Sequence, residues 1–362
     1  RAVTVVGDLL NKNSNEDYMS NIKSDYKIFR GKFLNRGKEK AYISIENARK
    51  RKYKIDWDTS KIVKPNQLGV QVLEQLSLKK LLPFIDWNPF FRSWDLHGKF
   101  PGILTDKIVG EQATTIYDEA QTMIEQIIAK QLLKPKGIFG LFEANNVGDD
   151  DIAIQKGGKE VGVFRTLRQQ SQKKDGIPYL ALADFIAPKE TNKSDYMGAF
   201  CVAIFGAQEL SNSFKEKEDD YNAIMVQAIA DRFAEAFAEY LHKEVRTKYW
   251  GYDQDEQLSN EDLIKESYKG IRPAPGYPAC PDHLEKETIW QLLEVEKKIG
   301  VTLTENLAMW PAAAVSGYYF ANKEAKYFGL GKITDDQVKD FAVRKEITIE
   351  KAKKWLSPNL AD

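Results

Sequence analysis

Four prolines and a glycine fall within the twelve residues "RPAPGYPACPDH", positions 272–283. Each proline fixes its own φ and pushes the residue before it toward extended backbone, so this stretch can be neither a helix interior nor a central strand. It has to be a stiff, non-repetitive loop that displays Arg272 and Tyr277 with little conformational entropy left to lose. A loop built to grip a ligand would look like this, and so would a rigid structural connector. The rest of the chain has to decide between them.

The chain is long enough for one large core or two ordinary ones. Lys plus Arg and Asp plus Glu each number 53, so no overall field points to nucleic acid or to an anionic membrane. No run has the length of a membrane span, and "RAVTVVGDLLNKNSNEDY" has the wrong flanks for a secretory signal. Cys201 and Cys280 are the only cysteines, which excludes a disulfide framework and suits a reducing cytoplasm. The chain opens on Arg1 and is expected to begin inside a longer polypeptide.

Residues 1–10 read as the end of an apolar helix or strand. The following stretch to about residue 60 is polar and charged, a connector expected to stay peripheral, with "NARKRKYK" as a solvated helix face. From residue 65 the pattern is that of a compact body. "LGVQVLEQLSLKKLLPF" predicts a short helix ended by Pro83, and Thr105 is placed as the cap of a long helix running to Pro135, with Asp106 near its start. A second long helix is expected over 219–248, with Ile224, Ala228, Ile229, Phe233, Phe237, Tyr240 and Leu241 as its apolar stripe. "GIFGLF" (137–142), "MGAFCVAIF" (197–205) and "KYFGLGKI" (326–333) predict buried strands, and "TIEKAKKWL" (348–356) a closing amphipathic helix. Helices and strands do not alternate regularly. The fold class expected is therefore α/β of the α+β type: a mixed, largely antiparallel twisted sheet with long packed helices.

Common catalytic signatures are missing: no dinucleotide or P-loop glycine motif, no paired-histidine metal motif, no nucleophile elbow. "DQDEQLSNEDLI" has Leu258 and Ile264 where a calcium loop needs glycine and glutamate, and reads as a capped helix start. Cys280 and His283 are too few for a zinc site, and His97 and His242 read as satisfied surface or interface histidines. What remains is a recognition set. Asp86 among aromatics either caps backbone or meets a cation; Arg272 offers a planar fork to a carboxylate; Tyr277 and Tyr327 offer aromatic walls. Glu235 and Glu266 could orient the arginine or complete a polar wall. Such a set suits a small zwitterion carrying a ring system.

"IDWNPFF", "GLFEANNVGDD", "DRFAEAFAEYLHKEVR", "GIRPAPGYPACPDHLEK" and "LTENLAMWPAAAVSG" occur in this order. Together they closely resemble the C-terminal activation domain of cobalamin-dependent methionine synthase, over residues 65–362. Residues 1–35 resemble the tail of the preceding cobalamin-binding domain, with 36–64 as linker. The resemblance implies S-adenosylmethionine as ligand, bound by Asp86, Glu235, Glu266, Arg272, Ala274, Gly276, Tyr277, Tyr327 and Phe328. It implies no catalytic side chain and no metal ligand in this region. Cobalamin belongs to the adjacent domain, and zinc to the homocysteine module of the full enzyme. Expected partners are the cobalamin-binding domain of the same polypeptide and flavodoxin or a flavoprotein reductase as electron donor, in the cytoplasm. The implied role is to supply a methyl group for reductive reactivation of cob(II)alamin. A scaffold domain without its own ligand is the alternative, and an autonomous methyltransferase or a flavin or nicotinamide oxidoreductase fits less well.

Overall fold

A computed structural model describes residues 5–6, 9–10, 15–36 and 41–361. Most of the apolar segment expected over 1–10 lies outside the described residues, as do residues 37–40 of the connector.

Eight strands are present among the described residues: β1 (Gly69–Leu73), β2 (Lys134–Val147), β3 (Asp151–Lys156), β4 (Lys159–Arg165), β5 (Asp195–Phe205), β6 (Thr302–Leu303), β7 (Met309–Trp310) and β8 (Ala314–Tyr319). β6 and β7 form a separate hairpin; the others make one sheet in the order β4-β3-β2-β5-β8, in which every strand pair is antiparallel. The 14-residue β2 organises it. Its first half pairs with β1, its second half with β3, and its other edge with β5 from Lys134↔Phe205 to Ala144↔Asp195.

β5 is apolar from Met197 to Phe205 because both faces of the sheet are covered. Phe200, Val202 and Ile204 point into a core shared with the long helices, while Met197, Ala199, Cys201 and Ala203 point into a second core with Ile289, Trp290 and Leu293. The helices used below are α1 (Asn15–Arg36), α2 (Ile45–Lys50), α3 (Asn88–Ser93), α4 (Gly110–Ala129), α5 (Asp220–Glu244), α6 (Glu285–Leu293), α7 (Asp335–Lys345) and α8 (Ile349–Leu356). α4 and α5 cover the first face and α6 the second; α7 and α8 close a third small cluster around Phe341 and Leu356.

Several expectations need correction. The helix expected before Pro83 is strand β1 followed by two 3₁₀ turns, because alternating "GVQVL" finds an open edge of β2 to pair with. α4 starts at Gly110, and Thr105 is not its cap: its hydroxyl bonds Gly102 O, while Asp106 Oδ1 accepts from the N–H groups of Ile108 and Val109. Ile224 is 54% exposed, so the stripe of α5 runs through Ile229, Phe233, Phe237 and Leu241 without it. "KYFGLGKI" is loop, not strand. Gly331 sits at φ +75°, and the segment is held at isolated points: Leu330 N–H donates to Pro278 O, and Ile333 makes a single bridge to Leu360.

The later connector does not stand off the body. Ile45, Ala48 and Ile55 are buried, and Arg49 of α2 pairs at 2.7 Å with both Asp150 and Asp340 of α7. The basic run is therefore partly a clamp rather than a free solvated face.

Candidate functional site

The proline-rich loop is fastened before it reaches the cleft. Ile271 and Phe320 exchange both backbone hydrogen bonds at 3.0 Å, and Tyr318 N–H donates to Pro273 O at 2.9 Å, so the loop runs along β8. Two glycines permit this. A side chain on Gly317 would begin 2.6 Å from Pro273 O, and one on Gly276, at φ +95°, would meet the His283 ring at 2.3 Å. The tight turn is closed by Gly276 N–H to Cys280 O at 2.8 Å and Tyr277 N–H to Ala274 O at 3.1 Å.

The loop forms one wall of a cavity of about 520 Å³. Pro273, Ala274, Pro278 and Val315 give it apolar surface, Tyr277, Tyr327 and Phe328 give aromatic surface, and Glu235, Glu266 and Arg272 supply charge. A smaller lobe of about 290 Å³ shares Glu235, Glu266 and Arg272 and adds Asp86 and Arg232. The two lobes thus form one cleft. It brings together Asp86, Glu235, Glu266, Arg272, Ala274, Tyr277, Tyr327 and Phe328; Gly276 lies in the turn behind and makes the loop geometry possible.

Arg272 is the centre of the polar network. Its backbone N–H donates to Tyr327 Oη at 2.9 Å, Nη2 donates to Glu239 Oε2 at 3.1 Å, and the guanidinium lies 6.0 Å from the Phe200 ring centroid. Its Nε is buried with no hydrogen-bond partner among the described residues. Burial works against the charge, but Glu239 together with Tyr268, Tyr327 and Glu235 outweighs it and holds the guanidinium pKa above its usual value. Tyr268 Oη and Tyr327 Oη are 2.9 Å apart, which fixes the tyrosine that receives the Arg272 N–H. Glu266, at φ +56°, has its carboxyl pKa pushed up by burial, with Arg272 opposing and Glu239 adding to the rise.

Of the two roles the sequence left open for it, Asp86 shows the capping of backbone. Its Oδ1 accepts from Asn88 N–H at 2.9 Å and from Asn88 Nδ2 at 2.6 Å, fastening the start of α3, while Oδ2 has no protein donor among the described residues. The side chain lines the smaller lobe next to Arg232 and Glu235.

Residues 77–346 match the family model described as vitamin B12-dependent methionine synthase, activation domain. The chain belongs to this family. It is also similar to a crystal structure described as the MetH reactivation domain bound to AdoHcy, with 48% identity and a TM-score of 0.86 over 89% of this chain and 99% of that one.

Within this activation domain, sequence reasoning missed the residue that holds Arg272. Glu235 and Glu266 were expected either to orient the arginine or to complete a polar wall; they line the cleft, while Glu239, one helical turn beyond Glu235 on the same face of α5, makes the ion pair. The i, i+4 spacing of the two glutamates was the available signal. His242, expected at a surface or interface, is completely buried: its ring stacks on Tyr319 at 5.2 Å and meets Tyr268 edge-on at 4.7 Å. Burial, reinforced by Arg246 and Arg272, pushes its pKa well below the ordinary value and keeps the ring neutral. Cys280 is buried with Sγ 4.0 Å from Tyr318 Oη, and among the described residues no group of three or more His, Cys, Asp or Glu side chains is placed to hold a metal.

Proposed function

We propose that this activation domain binds S-adenosylmethionine in the Arg272 cleft and presents its methyl group for reductive reactivation of cob(II)alamin in a methionine synthase that makes methionine from homocysteine and methyltetrahydrofolate. The observation that carries the reading is the Arg272 guanidinium, which has one ion pair, to Glu239, and leaves Nε and Nη1 without a protein acceptor among the described residues, at the wall of a cleft that also holds three carboxylates. A buried donor left unpaired is costly, and a ligand carboxylate would relieve it. The residues fit the ligand in charge and size. One arginine suits the carboxylate, Asp86, Glu235 and Glu266 suit the ammonium and sulfonium, and the cavity is within the ~300–1,000 Å³ usual for small-molecule sites.

In this reading Arg272 binds the carboxylate and Asp86 Oδ2 accepts from the ammonium. Tyr277, Tyr327 and Phe328 flank the sulfonium, since aromatic faces attract cations, and the backbone around Ala274 and Gly276 holds the adenosine. Bound there, S-adenosylmethionine supplies an already activated methyl group. The chain needs no acid–base residue for that transfer; its residues orient the donor and shield it. Residues 65–362 form the donor-holding unit, residues 1–35 the tail of the cobalamin-binding domain and 36–64 the linker. The partners are that cobalamin-binding domain and flavodoxin or a flavoprotein reductase supplying the electron, in the cytoplasm. Zinc belongs to the homocysteine module elsewhere in the full enzyme.

The test uses full-length synthase carrying Arg272→Ala. Recovery of methylcobalamin from cob(II)alamin, with S-adenosylmethionine and an electron donor, is expected to fall far more than folate-dependent turnover started from methylated enzyme. Equal losses in both, with cobalamin content unchanged, would remove Arg272 from the reactivation step.

A further inference from the structure

We infer that Glu239 is a positioning residue that selects which edge of the Arg272 guanidinium faces the ligand carboxylate. The inference rests on the proposed carboxylate-binding role of Arg272. Glu239 lies between two arginines. Its Oε2 accepts from Arg272 Nη2 at 3.1 Å, and its Oε1, buried with no hydrogen bond, is 3.7 Å from Arg246 Nη1, a nitrogen that is also buried without one.

Arg246 is the fixed post of this arrangement. It is completely buried, gives Nε and Nη2 to the Glu256 carboxylate, and lies over the Tyr268 ring with Cζ 4.4 Å from its centroid. With the Nε–Nη2 edge of Arg246 occupied by Glu256, Nη1 is the nitrogen turned toward Glu239. Glu239 therefore has one cation that cannot move and one, Arg272, whose direction it can set. Tying down Nη2 fixes the plane of the fork and leaves Nε, which is buried, and Nη1, which is not, as the donors without a protein acceptor among the described residues. From the other side Tyr268 steadies Tyr327, which receives the Arg272 backbone N–H, so backbone and side chain of Arg272 are fixed through separate contacts.

The charges agree with this division of labour. Glu239 and Glu256 balance Arg246 and Arg272 before any ligand enters, and the remaining charges of the lobe, Asp86, Glu235 and Glu266 against Arg232, leave a negative excess for a ligand's positive groups. A glutamate with a purely structural role would support every ligand of the cleft equally. One that aims Arg272 matters only to a ligand with a carboxylate.

Two probes separate these cases: S-adenosylmethionine and its decarboxylated form, which keeps the adenosine, sulfonium and amine. Calorimetric titration of Glu239→Ala is expected to show a loss of about tenfold for S-adenosylmethionine, the scale of one charge-assisted hydrogen bond, and less than about twofold for the decarboxylated form. Glu239→Gln keeps an amide oxygen that can accept from Nη2, so it should restore part of the S-adenosylmethionine affinity. Equal losses for the two probes in Glu239→Ala, or no loss for S-adenosylmethionine, would overturn the assignment. If Glu239→Ala does not fold, the same selective loss, smaller, is expected in Glu239→Gln. Failure of both variants to fold would make Glu239 structural and also overturn it. If the unaltered chain binds the two probes equally well, the carboxylate role of Arg272 fails first and this inference fails with it.

Discussion

Two buried arginines, Arg168 and Arg272, sit in opposite chemical situations. Arg168 has every donor used: Nε to Asp150, Nη1 to Tyr179 O and Asp184, Nη2 to Asp149 O and Asp184, at 2.6–3.0 Å. Arg272 has one side-chain ion pair, to Glu239, and a buried Nε with nothing to donate to. A saturated buried cation joins pieces of the fold. Through Asp150 and Arg49, the first network reaches α2 and α7. An unsaturated one keeps binding capacity in reserve, at a cost the rest of the fold must offset. The difference separates scaffold from site without reference to sequence similarity.

Substitution should break the two regions in different observables. Arg168→Met is expected to cost the most, about 3–5 kcal/mol of folding stability in denaturant melts, because it strands Asp184 in the interior without its partner. A loss below about 1 kcal/mol would deny the network its scaffold role. Arg272→Ala and Asp86→Asn should instead weaken S-adenosylmethionine binding by about 1–3 kcal/mol each, with a much smaller change in apo stability. Glu239 can turn toward Arg246 when Arg272 is gone, so the fold has a fallback there. The reverse pattern, stability lost and affinity kept, would merge the two regions into one structural class.

The smallest effect sharpens the electrostatics of the cleft. Burial raises the Glu266 carboxyl above its ordinary value near 4.5. A cationic ligand favours the ionised form, so affinity should fall as pH is lowered through that raised pKa and stay level above it. The change attributable to Glu266 is on the order of threefold, the scale of a partly exposed ion pair, and Glu266→Gln should flatten it. Titrations across that pH range with an unchanged slope in Glu266→Gln would show that Glu266 does not face the ligand's charge.

Legibility in the sequence followed the same divide. Dense apolar runs such as 137–142 and 197–205 announced the two central strands, because strands buried on both faces leave no other pattern. Strand β1 was obscured: its five residues run into "LEQLSLKKLL", whose spacing imitates a helix, and only the free edge of β2 decides the matter. "KYFGLGKI" misled in the other direction, since apolar content suggested a strand while two glycines and pairing limited to one bridge, Ile333 to Leu360, made a loop. In the cleft, the prolines made the loop legible from composition alone. The partner of Arg272 was not, because Glu235 and Glu239 share a helix face and only three-dimensional reach tells which one arrives at the guanidinium. His242 was misplaced for a related reason: nothing local marks a histidine that will stack on Tyr319 of β8 and meet Tyr268 edge-on.

The most direct test of the central claim is a calorimetric titration of the unaltered chain with S-adenosylmethionine. The account predicts saturable binding at one site per chain, competed by AdoHcy and lost to a large extent when Arg272 and Asp86 are replaced together. Absence of saturable binding, or binding that survives the double replacement at full affinity, would contradict it.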